Sequence, residues 1–456
     1  MTVHCSSTLL RAIKFVCLKS AVASSGGVKY GLMNPLLLST IALLTLGTST
    51  LAQETHNEEI QSAETQSIEK SGEKTATQND KNTISILHLQ ILQPSTPGTP
   101  SYLKRPDNNG VAGATIAMED ANITGKFLGY QLSMQSLSAP TITEIKTQLN
   151  EPNYHNANAI LLDAPSSDFQ VVVSVLQQHL PEAVIFNIAN SDDALRTLSC
   201  GIPLVHSIPS YQMKADALAQ WFRVKRIEEI LALHGKHHND MAFLSAFKQS
   251  AKKFKLELVD VKQWSDSFDL RRAAFSEIPQ FTRTKSRYEA VFTADFDAQF
   301  AYALPFNTYY QVPVVGDAGL KSLGWHATHE QWGARQLQNR FTDAFNRSMN
   351  EVDFAAYLSV ISAATAIQQM TSDARASDTK ASQSLAHTLL NDGFTVAAYR
   401  GRPLSIRAST KQIRQPITLA HEDALVTHAP LEGFLHQIDE LDTLGNINTT
   451  CAKHNN

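Results

Sequence analysis

Thr83-Ile84-Ser85-Ile86-Leu87-His88-Leu89, followed by the small-residue segment from Gly110 to Ile123, decides the fold class. The first stretch is a compact apolar run that reads as a buried strand, and the second places Val111, Ala114, Met118 and Ala121 on one helical face. The alternation continues outward. Tyr130 to Leu137 reads as a strand, Thr141 to Leu149 as a helix, Ala159 to Leu162 as a strand and Ser167 to Leu180 as a helix that Ser166 or Ser167 caps. Ala183 to Ile188 is the next strand. After Pro209 the pattern restarts with helix Tyr211 to Val224, strand Glu229 to His234, helix Asp240 to Phe254 and strand Leu256 to Val261. Ala290 to Ala294 and Val312 to Val315 add strands, helices dominate from Glu330 to Leu390, and strand-like pieces return at Phe394 to Tyr399, Leu404 to Arg407 and Ile417 to Val426. Repeated β-α units predict an α/β fold of parallel sheets covered by helices on both faces. Two successive sets predict two similar lobes, and the late return of strands predicts that the chain crosses between them more than once.

Upstream of this region, Gln53 to Asn82 is polar, with no aromatic residue and only scattered aliphatics. Such a segment buries too little apolar surface to offset its ordering entropy, so a flexible tether is expected. Before it, the apolar run Pro35 to Leu46 is closed by Thr50-Leu51-Ala52, with Lys14, Lys19 and Lys29 upstream. This reads as a cleavable signal peptide over residues 1–52, with export of a chain that starts at Gln53. The run is shorter than the roughly 20 residues that span a bilayer. Met33 is an alternative start, although it leaves almost no basic n-region.

The remaining chain is long enough for two cores. Hydrophobic residues at 43% and a net charge of -4 argue for a globular protein and against nucleic acid as its main partner. Cys5 and Cys17 leave with the leader, so Cys200 and Cys451 are the mature cysteines. An even pair in an oxidising compartment reads either as one disulfide or as two separate thiols.

The search for catalysis is negative. The sequence has no G-x-S-x-G elbow, no G-K-[ST] phosphate loop and no C-x-x-C. His326-Ala327-Thr328-His329-Glu330 lacks the H-E-x-x-H spacing of a zinc pair and reads as surface or capping residues. Lys236-His237-His238-Asn239-Asp240 reads as a solvated strand-to-helix loop. No nucleophile is set beside a base, and no metal or cofactor is expected.

Ligands of open α/β sheets gather beyond the carboxyl ends of strands. The turns at those positions are Asp163 to Ser167, Ala189 to Asp192, Ala294 to Asp297 and Gly316 to Gly319. Serine hydroxyls and free amides at a helix start suit a carboxylate or another anion, and aspartates facing them suit a cation or amine. The same residue types also serve as caps and turns.

From about Thr83 to Cys451 the chain resembles periplasmic substrate-binding proteins of the branched-chain amino acid class, type I fold. Ile84 to Leu92 and then Gly110-Val111-Ala112-Gly113-Ala114 are similar to that family's first strand and helix. Further segments resemble the subgroup associated with pyrroloquinoline quinone-dependent alcohol dehydrogenase systems. They are Asp192-Asp193-Ala194-Leu195-Arg196, Cys200, His206-Ser207-Ile208-Pro209-Ser210 with Met213 and Asp216-Ala217-Leu218, then Trp332 to Phe341, Arg414-Gln415-Pro416, Gly433 to His436 and Leu441 to Gly445.

The resemblance implies two Rossmann-like lobes with parallel sheets, joined by a multi-strand hinge. It places lobe one at 83–206 and 324–397, lobe two at 207–323, and the return, hinge and tail at 398–456. It implies a periplasmic, non-enzymatic solute-binding component of an ABC transporter, with permease and ATPase as partners and a link to alcohol oxidation. The alternative is a non-transport ligand sensor or accessory of the dehydrogenase system. By position, ligand contacts fall on Ser166, Ser167, Asn190, Ser191, Asp295, Phe296 and Asp317. Asp163 and Pro165 depart from the family's first turn, and Asp317 is offset by one from its acidic position, so the ligand need not be an amino acid. Both mature cysteines lie in subgroup-like segments, which implies a Cys200–Cys451 disulfide.

Overall fold

The computed structural model describes residues 82–94, 104–198, 201–264, 276–376 and 384–446. The expected leader, its cleavage site, nearly all of the polar tether and both mature cysteines lie outside the described residues.

The first half is built on β1 (Asn82–Ile91), β2 (Tyr130–Ala139), β3 (Ala157–Asp163), β4 (Val184–Asn187) and β5 (Leu204–His206), in the parallel order β2-β1-β3-β4-β5. β1 and β2 pair over their full length, from Asn82 with Tyr130 to Ile91 with Ala139. Its helices are α1 (Val111–Leu128), α2 (Ile142–Leu149) and α3 (Ser166–His179). The second half contains α4 (Tyr211–Lys225), β6 (Glu229–His234), α5 (His238–Phe254), β7 (Glu257–Gln263), α6 (Ile278–Phe281), β8 (Ala290–Ala294), α7 (Leu304–Asn307) and β9 (Val314–Gly316). Its sheet runs β7-β6-β8-β9, repeating the strand order of the first half. In each sheet the second strand of the half lies at the edge beside the first.

The remaining elements are β10 (Lys321–Leu323), α8 (Ala334–Phe345), α9 (Glu351–Ala376), α10 (Leu385–Leu389), β11 (Thr395–Val396), β12 (Leu404–Ser405), β13 (Ile417–His421) and β14 (Ala424–Ala429). The sequence predicts one strand over 417–426. The structure forms an antiparallel hairpin instead, because Glu422 and Asp423 supply an exposed polar turn. β5 and β10 are three-residue strands, too short for periodicity to reveal.

Each sheet buries both faces. Alternate β1 residues divide between two cores: Ile86 packs toward α1 and α9, while Leu87 and Leu89 pack toward α2 and α3. In the second half Phe292 stacks on Phe247 with centroids 3.9 Å apart, and Val291 faces the opposite core with Trp264 and Phe300. The small residues of α1 admit α9 at close range. A Cβ on Gly113 would stand 1.9 Å from the Asp353 carbonyl oxygen. Asp353 in turn accepts the Gly110 amide at 2.9 Å and is held by Arg347 at 2.6 Å.

Three crossings join the halves. Ile208 belongs to the first core and Tyr211 to the second; Leu320 belongs to the second and Trp325 to the first; Ile413 belongs to the first and Ile417 to the second. The carboxyl ends of both parallel sheets therefore open toward the same junction. No helix among the described residues is long and apolar enough to cross a membrane.

Candidate functional site

A pocket of about 560 Å³ lies at this junction, lined from the first half by Gln93, Pro165, Ser166, Ser167, Asp192 and their neighbours, and from the second by His237, His238 and Asn239. Sequence reasoning expected Ser166 or Ser167 to cap α3. Pro165 occupies the N-cap and no side chain caps the helix, because proline has neither hydroxyl nor amide to offer. Among the described residues the first-turn amides of Ser166 and Ser167 thus have no backbone partner, and they lie beside the pocket.

The Ser166 hydroxyl is used differently. It accepts a hydrogen bond from Asn190 Nδ2 at 3.0 Å. The same Asn190 amide donates to the Ala164 carbonyl at 3.1 Å, and its Oδ1 accepts from the Asp192 amide at 3.0 Å. Asn190 therefore fastens the turn after β4 to the turn after β3. Arg196 holds the other side of that turn, donating to the carbonyls of Asn190 and Asp192, each at 2.8 Å. Burial pulls the Arg196 pKa down to about 10, opposed by Asp193 and Asp192. Ser191 is buried and its carbonyl accepts the Tyr211 amide at 2.8 Å, linking this wall to α4.

The opposite wall is a ladder of carboxylates. Asp240 Oδ2 accepts the His237 amide at 2.9 Å and Oδ1 accepts the Phe296 amide at 2.7 Å. A Cβ on Gly235 would come within 2.4 Å of Asp240 Oδ2, so the turn after β6 needs glycine there. Asp295 accepts three amides, from Gln299 at 2.9 Å, Phe300 at 2.7 Å and Ala301 at 2.8 Å. Its carboxylate caps its own turn, in a side chain only 3% exposed. Asp317 Oδ2 accepts the Asp295 amide at 2.7 Å, and its Oδ1 takes no hydrogen bond among the described residues.

Burial, with added repulsion inside the cluster, pushes Asp240 up to about 7 and Asp317 up to about 6. Burial also raises Asp295, against its three amide bonds. Asp240 thereby places an aromatic pair: His237 stacks on Phe296 at 4.8 Å and 14°, with Phe296 still 47% exposed.

Sequence reasoning missed the residues that bring the walls together. It took Lys236 to Asp240 as a solvated loop, yet His238 Nε2 lies 2.7 Å from Asp192 Oδ2, bridging the two halves over the pocket. Burial acts to raise Asp192, but hydrogen bonds from His238 and the Ala194 amide bring it below the usual carboxylate range. The signal was available, because this loop follows β6 as the serine turns follow β3 and β4. Tyr211 sits between the walls. Burial and the nearby carboxylates of Asp317, Glu351, Asp240 and Asp192 push its hydroxyl well up. Lys214 pairs with Glu351 at 2.7 Å close by.

Of the expected residues, Ser166 and Ser167 line the pocket, Asn190 and Ser191 shape its first wall, and Phe296 flanks it through His237. Asp295 and Asp317 support the second wall from behind this pair and do not line the pocket. Among the described residues no cluster could hold a metal ion.

No family model matches the chain, and no curated protein matches it in sequence. Solved structures do match. A leucine-, isoleucine-, valine-, threonine- and alanine-binding protein from Brucella ovis, in a closed conformation, is 12% identical with a TM-score of 0.58, covering 77% of this chain and 93% of that one. A branched chain amino acid ABC transporter periplasmic ligand-binding protein from Burkholderia xenovorans LB400 is 11% identical with a TM-score of 0.60, covering 81% and 98%. An ABC transporter solute binding protein from R. palustris, in complex with benzoate, is 13% identical with a TM-score of 0.56, covering 76% and 96%. The fold of this chain is that of the two-lobed type I periplasmic binding proteins.

Proposed function

We propose that this protein is a non-enzymatic, periplasmic solute-binding component of an ABC transporter that captures a small carboxylate-bearing solute between its lobes. The observation that carries this reading is the pocket shared by both halves, with the uncapped amides of Ser166 and Ser167 on one wall and the His237–Phe296 stack beside the other. A carboxylate suits the amides at the start of α3. A planar or apolar body suits the aromatic pair. Ser191 and Asp317 lie behind the pocket lining, and this reading makes them contacts only once the lobes close on the solute. We assign lobe one to 83–206 and 324–397, lobe two to 207–323 and the return, hinge and tail to 398–456; the core changes between Ile208 and Tyr211 and between Leu320 and Trp325 support the first two boundaries. The link to quinone-dependent alcohol oxidation rests on the order of the subgroup-like segments. It includes the permease, the ATPase and the alcohol dehydrogenase system as partners.

The test is mass spectrometry of solute released by denaturing freshly purified protein, followed by calorimetric titration of that solute into stripped protein. A carboxylate whose binding is lost in Ser167→Pro, which removes one first-turn amide where proline is tolerated, supports the reading. A purely cationic solute, or binding untouched by that change, refutes it.

A further inference from the structure

A second polar cluster lies away from the pocket, where residues 325–332, residues 399–401 and the β13–β14 hairpin meet. Arg400 is 3% exposed. Its Nη2 donates to the Pro416 carbonyl and to Thr418 Oγ1, while its Nε and Nη1 are buried and find no partner among the described residues. The guanidinium lies 5.6 Å from the Phe354 ring centroid, which favours a cation but accepts no strong hydrogen bond. Burial pulls its pKa down to about 9, with no carboxylate opposing the shift, so it stays charged at neutral pH. A buried cation with two unsatisfied nitrogens is a costly arrangement unless something accepts from it.

Two histidines complete the cluster. His329 is fully buried, and its Nε2 is 3.2 Å from the Tyr399 carbonyl, which can only accept. That nitrogen carries the hydrogen, so Nδ1 of the neutral ring is an acceptor, and it has no partner. Burial and then Arg400 hold His329 down to about 4, which keeps the ring neutral. His428 Nδ1 is 3.4 Å from Thr418 Oγ1, whose oxygen already accepts from Arg400 and whose hydrogen is free to point at His428. The N–H of His428 then falls on Nε2, also buried and unpartnered. The two rings stand 4.7 Å apart.

Three donor nitrogens and one acceptor, unpartnered among the described residues, thus sit on side chains that meet here: the two rings are 4.7 Å apart and the Arg400 charge acts on both. We infer that this cluster is a binding site for a small oxyanion that carries an acidic hydroxyl, the chemistry of hydrogen phosphate or bicarbonate. Its oxygens accept from Arg400 and His428, and its hydroxyl donates to His329 Nδ1. Sulfate and acetate at neutral pH have no such hydroxyl and leave His329 unsatisfied. Trp332, 52% exposed, packs on the pair with its ring 5.4 Å from His329 and 5.9 Å from His428, so its fluorescence is placed to report on the cluster. It packs directly on Gly401, where a Cβ would lie 2.4 Å from Trp332 Cε2.

The experiment uses the full mature chain, dialysed into an anion-poor buffer at neutral pH and titrated with inorganic phosphate, bicarbonate, sulfate and acetate. Calorimetry gives affinity and tryptophan fluorescence reports the cluster. Phosphate or bicarbonate should bind and shift the fluorescence, and sulfate and acetate should bind about tenfold more weakly, because each leaves a buried acceptor unmet. Arg400→Met should abolish the phosphate response, yet melt no lower than the parent in anion-poor buffer. His428→Gln should weaken phosphate about tenfold and serves if Arg400→Met does not fold. The inference is overturned if none of the four anions binds, if sulfate binds as tightly as phosphate, if the phosphate response survives Arg400→Met, or if His428→Gln leaves phosphate affinity unchanged.

Discussion

Asp317 offers the sharpest separation between a carboxylate kept for binding and one kept for structure. Its folded pKa rises from 3.8 to about 6 because it is buried beside Asp295, with Lys214 and Lys321 only partly compensating. A raised carboxyl pKa means that the folded state holds its proton more tightly than the unfolded chain. The associated stability is complete below about pH 4 and is lost as pH climbs through about 6. At about 1.4 kcal/mol per unit, a shift of roughly two units corresponds to about 3 kcal/mol. The side chain keeps some solvent contact, so screening reduces this to about 1 to 2 kcal/mol. Asp317→Asn keeps an oxygen for the Asp295 amide and removes the charge. Ligand-free Asp317→Asn should match the parent near pH 4 and exceed it by that amount at pH 8, measured by denaturant unfolding across the range. Asp317→Ala should lose about 1 to 3 kcal/mol near pH 4, because it strands the Asp295 amide, and less at pH 8, where removing the charge offsets part of the loss. If Asp317→Asn is instead less stable than the parent at pH 8, the ionised carboxylate is stabilising and the reasoning fails. The second half of the prediction concerns capture. Small-angle scattering with the co-purified solute should show the loss of ligand-induced closure in Asp317→Ala, and unchanged closure would place Asp317 outside the binding machinery.

The other predictions are these. Asn190→Ala should cost about 1 to 3 kcal/mol by denaturant unfolding, because the buried Ala164 carbonyl loses its donor. His238→Ala should change stability by less than about 1 kcal/mol, the ring being largely exposed, yet enlarge the radius of gyration of the ligand-free protein once the contact with Asp192 is gone. Phe247→Ala should cost about 3 to 5 kcal/mol, since it removes the ring stacked on Phe292. Amino-terminal sequencing of the exported protein should begin at Gln53, and thiol titration of the unreduced, denatured chain should find no free Cys200 or Cys451.

The layered fold was legible because a doubly wound sheet leaves a strong mark. β1 and β6 are buried on both faces, so they read as continuous apolar runs, and the intervening helices keep one apolar stripe. What escaped was short or polar. β5 and β10 hold three residues each, and the hairpin turn at Glu422-Asp423 interrupts a run whose flanks look like one strand. The subgroup-like segments also gain a physical meaning. Asp216 accepts the Gly445 amide at 2.9 Å, and Arg414 grips Asp442 at 2.7 and 3.1 Å. These distant short motifs touch each other, tying the tail to the second half and the third crossing. They are ties within the structure.

The turns around the candidate site were legible, but the hydrogen bonds that each side chain makes there were not. Reasoning from strand ends found the turns, because topology alone decides where they gather. It could not tell which oxygens were already spent. Asp295 looked like a ligand carboxylate and is consumed by three amides of its own turn. His329 looked like a surface residue, since two histidines three apart carry no mark of burial, and it proves fully enclosed. His237 and His238 were set aside because a run of polar residues between strand and helix reads as solvated loop. Yet a loop at the carboxyl end of a parallel strand faces the junction whatever its polarity. Identical residue types therefore sort into caps, braces and exposed contacts through hydrogen bonds, some within a turn, as at Asp295, and some to partners far along the chain, as from Phe296 to Asp240 or from Ser166 to Asn190.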